Sequence, residues 1–414
     1  MKRATIPIQK FKDAPIQIID GDRGENYPID SEFLDEGCCL FLNTGNVTKS
    51  GFNFNNCQFI SFDKDQILRK GKLKRNDLVM TTRGTVGNVG YYNNKVTFED
   101  IRINSGMVIF RVDQKEIIPS FLYQYLRSTY FNRQVNALRT GAAQPQLPIR
   151  DIKCIKIQIP QIAEQEKIAD ILSAYDDLID INRRRIQLLE ETARLLYRER
   201  FVYFRFPGHQ NVKIVDGMPE GWESQPIATI ADCVGGGTPS TSVTAYWVDG
   251  HITWVTPTDV TRNKHFVLLD SEKKITEAGL QNSSAKLVPA HTVLMTSRAS
   301  VGFFAIANRE VCTNQGFISI VPHDAVFSLF LLFQLSGRVD EIRAMGSGST
   351  YPEVSRGKFR DFKIIIPHRK LVSDFDEQVS LCFKQIRNLK LQNQKLAQAR
   401  DLLLPRLMSG AIEA

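Results

Sequence analysis

Met80-Thr81-Thr82-Arg83-Gly84-Thr85-Val86-Gly87 returns later in the chain as Met295-Thr296-Ser297-Arg298-Ala299-Ser300-Val301-Gly302. Each copy sets an apolar strand, a hydroxyl pair, an arginine and a turn in the same order. Working outward, Ile157-Gln158-Ile159-Pro160 is matched by Ile364-Ile365-Ile366-Pro367, and each is followed by a long charged run of helical character. The offset falls from 215 at Arg83/Arg298 to 210 at Asn104/Asn314 and 207 at Pro160/Pro367. Loops between matched strands therefore differ in length, which suits two sites with different targets. Two copies at this period are not a solenoid. A duplicated module ending in a helix implies a pseudo-twofold protein, and such proteins read two-part targets.

The texture of the chain divides it further. Residues 1–160 are rich in Gly, Asn, Thr and short apolar alternations, with one helix expected around Ser120–Asn136. From Ala163 to about Tyr203 no Gly or Pro interrupts a run of Glu, Gln, Arg, Leu and Ile, so one long helix is expected. Pro207, Gly208, Gly217, Pro219 and Gly221 break it. The strand-and-turn texture then repeats over 222–367, and a second helix is expected over about 371–404, ended or kinked by Pro405. The expected division is 1–160 as a first recognition domain, 161–204 as a central helix, 205–367 as linker and second recognition domain, and 368–414 as a distal helix and tail. The fold class is α+β: two β-rich modules joined by two long helices in an antiparallel coiled coil.

The helices carry the register. Ile168, Leu172, Tyr175, Ile179, Asn182, Ile186, Leu189, Ala193 and Leu196 alternate steps of four and three. Adding 207 gives Phe375, Val379, Cys382, Ile386, Leu389, Asn393, Leu396, Arg400 and Leu403. Such spacing is a heptad seam, although an amphipathic helix lying on a core shows much the same pattern. Each seam has one asparagine, and burying one unpaired costs about 1–3 kcal/mol, so Asn182 and Asn393 should face each other at the dyad of the helix pair. Antiparallel partners then have position numbers totalling 575, which pairs Leu172 with Leu403, Ile179 with Leu396 and Ile186 with Leu389. Helices of this length would hold the modules roughly 50–60 Å apart at about 1.5 Å per residue.

Composition bounds the function loosely. Lys+Arg (53) exceeds Asp+Glu (45), giving +8 at pH 7 and a mildly basic chain, compatible with a polyanionic partner. Seven cysteines include no Cys-x-x-Cys pair, and an odd, scattered set reads as reduced, buried thiols of a cytoplasmic protein. The six histidines make no metal-ligand spacing with them, so neither metal nor cofactor is expected. The most apolar stretch, Val326 to Leu335, is too short to span a bilayer.

Arg83 and Arg298 each stand where an apolar strand meets a turn. An arginine there can reach a phosphate or the O6/N7 edge of guanine; equally, it can cap the turn. Thr140-Gly141-Ala142-Ala143-Gln144-Pro145-Gln146 and Gly346-Ser347-Gly348-Ser349-Thr350-Tyr351-Pro352 are matched small-residue loops suited to base edges and phosphates, or are plain turns. The candidate DNA contacts are Arg83, Arg102, Arg139 and Gln144 in the first module, and Arg262, Lys264, Arg298, Ser349 and Tyr351 in the second. Arg102, Arg262 and Lys264 also fit a reading as solvated charges. Gly235-Gly236-Gly237-Thr238-Pro239 lacks the Gly-Lys-Ser/Thr ending of a phosphate loop and reads as a turn. Asp259 with Glu272 and Lys274 loosely matches a nuclease pattern, without a counterpart in the first copy. No methylation motif, Walker lysine or nucleophile elbow occurs, so a recognition subunit is expected rather than an enzyme.

Ile18-Ile19-Asp20-Gly21-Asp22-Arg23-Gly24-x-x-Tyr27-Pro28 resembles the opening of target-recognition domains in specificity subunits of type I restriction–modification systems. So does Met218-Pro219-Glu220-Gly221-Trp222, continuing through Gly236-Gly237-Thr238-Pro239-Ser240 to Trp254-Val255-Thr256-Pro257-x-Asp259-Val260, and so does the ending Leu404-Pro405-Arg406-Leu407-Met408-Ser409-Gly410. The first module lacks the Pro-x-Gly-Trp entry, so its first strand is expected to differ. The resemblance implies a non-catalytic subunit whose modules each read one half of a bipartite double-stranded DNA target. It also implies helices that dock two S-adenosylmethionine-dependent adenine methyltransferase subunits, with ATP-driven restriction translocase–nuclease subunits joining the full complex. The rival readings are a stand-alone DNA-binding regulator and a metal-dependent nuclease using Asp259, Glu272 and Lys274.

Overall fold

The computed structural model of the chain describes residues 7–141, 144–347, 353–408 and 411–412. It divides into two compact units, residues 1–179 with 395–414, and residues 180–394. Both are built from the same parts.

In the first unit, strands Ile16–Asp20, Met107–Val112, Leu78–Thr81 and Val89–Tyr91 form an antiparallel sheet in that order. A second sheet orders Phe59–Ile60, Cys39–Leu42 and Ile101–Ile103, the last pairing being parallel. The second unit repeats both. Ala231–Gly235, Phe317–Pro322, Val293–Thr296 and Phe304–Ala307 form the first sheet, with Val267–Leu268 added at its edge. Lys273–Ile275, Ile252–Val255 and Cys312–Thr313 form the second, again with one parallel pairing. Central strands such as Leu78–Thr81 and Val293–Thr296 are buried at every position, so they read as continuous apolar runs rather than alternations.

Each unit also closes a two-stranded ribbon just before a long helix. Ile8–Lys10 pairs with Lys156–Gln158, and Glu223–Pro226 with Lys363–Ile366. The first unit makes this pairing without the Pro-x-Gly-Trp entry. In the second, Trp222 is packed among Phe201, Phe204 and Phe206. The family-like motifs have local structural work. Asp22 is buried and accepts backbone amides from Gly24, Arg69 and Lys70. Burial alone would raise its carboxyl, but those amides outweigh it and hold the pKa below the ordinary value. Thr256 and Asp259 form a capping box on helix Pro257–Arg262.

The expected helix at Ser120–Asn136 is two helices, Pro119–Arg127 and Thr129–Leu138. Ser128 divides them: its extended backbone ends the first, and its hydroxyl accepts from the Phe131 amide to start the second. The apolar run near Val326 is helix Phe327–Ser336, buried on all sides. No helix among the described residues is long and apolar enough to cross a membrane. The cysteines are free but not uniformly buried; Cys38 and Cys154 are exposed.

The central helix runs from Ile162 to Tyr197 and ends in a π turn over Arg198–Val202. The distal helix runs from Arg369 to Met408 and passes through Pro405. Pro405 does not end it: the helix continues through the proline to Met408. Only three helical residues, Arg406 to Met408, follow the proline, so little helix depends on the amide donor it lacks. The two helices are antiparallel within each unit. In the second, Asn182 donates to Gln392 and Asn393 while Arg200 donates to Gln378, so rising numbers on one helix meet falling numbers on the other. In the first, Asp176 accepts from Arg400, and Leu172 shares a core with Leu404 and Leu407.

The seam is strict only in its middle. Ile179, Asn182, Ile186, Ile386 and Leu389 are buried at the expected steps. Toward the ends the buried face widens to include Ala169, Tyr197, Val372, Phe383, Leu404 and Leu407, while Cys382 is only half-buried. Those segments lie on the globular cores, where Tyr197, Phe201, Phe330, Phe333 and Phe375 make an aromatic cluster. Both readings of the pattern hold, each over part of the helix.

Candidate nucleic-acid interface

The repeated Thr-Arg turn builds the same corner in each unit. In the first, the Thr81 hydroxyl donates to Thr85 O and accepts the Asn88 amide, and the Gly87 amide returns to Thr81 O at 2.9 Å. In the second, Thr296 donates to Ser300 O and accepts the Phe303 amide, and Gly302 N returns to Thr296 O at 2.9 Å. The turn needs a left-handed residue after the arginine. Gly84 takes φ +67° without strain, whereas Ala299 takes φ +60° at the cost its Cβ imposes.

The small-residue loop meets this corner. Arg83 bridges to Gln146, which bridges in turn to Thr140, and the Leu147 amide donates to Thr82 O at 2.9 Å. Arg298 bridges to Glu353, Glu353 to Ser347, and the Val354 amide donates to Ser297 O at 2.9 Å. From behind, Thr82 N bonds Gly106 O and Ser297 N bonds Gly316 O, each glycine being held by an asparagine, Asn104 or Asn314. Two segments far apart in sequence are thus joined into one rigid edge that carries an arginine.

The sequence candidates divide by position. Arg83 is partly exposed beside a cleft of about 260 Å³ shared with Asp20, Arg23, Gln146 and Pro148. Arg139 and Gln144 are exposed at the two ends of the loop. Arg298 is exposed and pairs with Glu353 at 3.4 Å. Ser349 and Tyr351 lie outside the described residues. Asn182 and Asn393 are joined by a side-chain hydrogen bond of 2.9 Å. Arg262 and Lys264 lie just before the edge strand Val267–Leu268, and the cleft that Lys264 lines also takes in Gly302 and Phe303 at the end of the Arg298 turn. Arg262 pairs with Glu272 at 3.3 Å, and Lys264 lines a cleft with Glu190 and Arg194.

Arg102 is withdrawn from the candidates. It is 5% exposed, is ion-paired to Asp65, and donates to the carbonyls of Asp65, Lys70 and Leu68. A guanidinium with four such bonds has no free edge for a base. The nuclease triplet is also accounted for by structure. Asp259 spends one oxygen on the capping box and the other on the Glu272 amide; Glu272 pairs with Arg262, and Lys274 with Asp270. Sequence reading passed over Gln146 and Glu353 as individual sites. The offset of 207 that aligns the helices also aligns these two, and could have found them.

The family model for the type I restriction modification DNA specificity domain matches residues 19–191 and again 219–398, once per unit. The chain belongs to this family. Among curated relatives, it is 22% identical over an alignment 438 positions long to the HindI specificity subunit of Haemophilus influenzae, covering 90% of this chain and 94% of that one. It is 32% identical over 197 residues to the MjaIX specificity subunit of Methanocaldococcus jannaschii, a match that spans 47% of this chain and about half (45%) of that protein. The crystal structure of a type I restriction–modification S subunit from M. genitalium has the same fold, with a TM-score of 0.57 at 15% identity over 98% of this chain and 97% of that one. Members of the specificity family are subunits of restriction enzymes, and the two matched stretches coincide with the two copies of the corner.

Proposed function

We propose that the chain reads a bipartite double-stranded DNA sequence for a type I restriction–modification complex, with residues 1–160 and 205–367 as the two recognition domains. The observation that carries this reading is the duplicated corner: an arginine on a rigid turn, flanked by a small-residue loop, once in each unit. Arg83, Arg139, Gln144 and Arg298 are the proposed DNA contacts, together with Ser349 and Tyr351, which lie outside the described residues. Arginine presents two donors to guanine O6/N7 or to a phosphate, and a backbone fixed on both sides limits the entropy lost on binding.

The paired helices act as a spacer between the half-sites and dock two adenine methyltransferase subunits. Restriction translocase–nuclease subunits join them in the full assembly, in the cytoplasm, and methylation and cleavage belong to those partners. An Arg83→Ala variant tests the reading. It should weaken recognition at one half-site by about 1–3 kcal/mol and relax its sequence preference, leaving the other half intact. Equal loss across unrelated sequences would make Arg83 a phosphate contact. No change would remove the corner from the interface.

A further inference from the structure

We infer that Glu353 is a specificity-determining residue that accepts a hydrogen bond from the N4 amino group of a cytosine, with Arg298 on the guanine paired to it. The inference rests on the proposed reading of the corner as a DNA-contacting edge. Gln146 and Glu353 are structural equivalents. Each bridges the arginine of its own corner, Arg83 or Arg298, and each bridges the start of its own loop, Thr140 or Ser347. The residue after each donates its amide to the hydroxyl residue before the arginine, at 2.9 Å in both units. One corner therefore presents Arg with Gln, the other Arg with Glu.

An exposed carboxylate is an unfavourable neighbour for a polyanion unless something on the DNA donates to it. In the major groove the cytosine N4 amino group is such a donor, and Glu is suited to it, whereas Gln suits the donor–acceptor pair of adenine N6/N7. Arg298 beside Glu353 supplies the complementary half: guanine O6 and N7 accept from a guanidinium while the cytosine of the same pair donates to the carboxylate. The two side chains are 53% and 46% exposed and 3.4 Å apart, an open and loosely held ion pair that can separate onto the two bases. The backbone of Glu353 is held on two sides, by Ser347 and by the Ser297–Val354 bond, so the point from which its carboxylate extends is set before DNA arrives.

The test is selection from a randomised duplex library by the full chain, purified with the subunits that accompany it in its source cell. Wild-type protein, Glu353→Gln and Gln146→Glu are compared. In the half read by the second unit, Glu353→Gln should lose its preference for cytosine at one position by about 5- to 150-fold and gain adenine there. Gln146→Glu should gain a cytosine in the other half. Each variant carries its own folding control, because the half-site of the untouched unit must stay as in the wild type. If the wild type selects a two-part motif and Glu353→Gln selects the same one, or binds every sequence more tightly without a change in motif, the inference is overturned. If the wild type selects no two-part motif, the reading of the corner falls, and this inference with it.

Discussion

Replacing Asp176 with alanine should destabilise the first unit by about 3–5 kcal/mol, the cost of stripping a buried charge cluster of its counter-ion. Asp176 accepts from Gln124 and Arg127, each at 2.7 Å, and from Arg400 of the distal helix. The carboxylate is 19% exposed and both arginines are 16% exposed, so the small values typical of surface pairs do not apply. Its removal leaves two guanidinium groups close together in a poorly solvated site. Arg400→Ala is a milder change, about 1–2 kcal/mol, because Arg127 and Gln124 still hold the carboxylate. The double variant should then be more stable than the two separate losses imply. Urea unfolding separates the units, because all three tryptophans, Trp222, Trp247 and Trp254, belong to the second. Circular dichroism should show the loss while the tryptophan transition stays in place. The pH dependence has a definite sign. Burial would raise the Asp176 carboxyl, but Arg127, Gln124 and Arg400 outweigh it and hold the folded pKa below the usual aspartate value. The stabilisation is therefore full above about pH 4, where unfolded aspartate is ionised, and is lost as pH falls through the lower folded value. A loss under about 1 kcal/mol at pH 7, or strict additivity with Arg400→Ala, would refute the cluster as the clamp between these helices.

Other expected outcomes follow from particular sites. Arg102→Ala should destabilise the first unit by about 3–5 kcal/mol in urea unfolding, since it strands buried Asp65; Lys72 offers it a partial substitute partner. Ala299→Gly should raise stability by up to about 1 kcal/mol by relieving its left-handed backbone, as Gly84 does in the first copy; a drop in melting temperature would contradict this. Burial pushes the Lys390 ammonium down to about 8, against the opposing pull of Glu190, while its Nζ donates to Asn263 and to Val267 O. The unfolded chain then holds more protons than the folded one between about pH 8 and the ordinary lysine value, so this group makes stability rise over that window. Lys390→Met should flatten the rise in a pH series of thermal melts, and an unchanged slope would show that another group is responsible.

Much of the fold was legible because duplication and periodicity are properties of sequence. The matched strands and the antiparallel register through Asn182 and Asn393 follow from patterns of apolar and polar residues. Ser128 was less legible, because a serine inside a helical pattern becomes a cap only when the chain turns there. Arg102 was misread for a related reason: its partners Asp65, Leu68 and Lys70 lie more than thirty positions away, and sequence spacing carries no sign of them. The place of Arg400, a charge on an otherwise apolar seam, is explained only by Asp176 beside it.

Sequence alone determined that this protein has two like halves with matched strands and two long helices with a shared register. These depend on local propensity and on the repeated spacing of side chains, both written along the chain. Tertiary structure decided which charges face solvent and which are consumed inside. It alone joined the arginine turn to the small-residue loop, setting Arg83 against Gln146 and Arg298 against Glu353. A hydrogen bond between segments more than fifty residues apart depends on three-dimensional closure, and no one-dimensional pattern contains that distance.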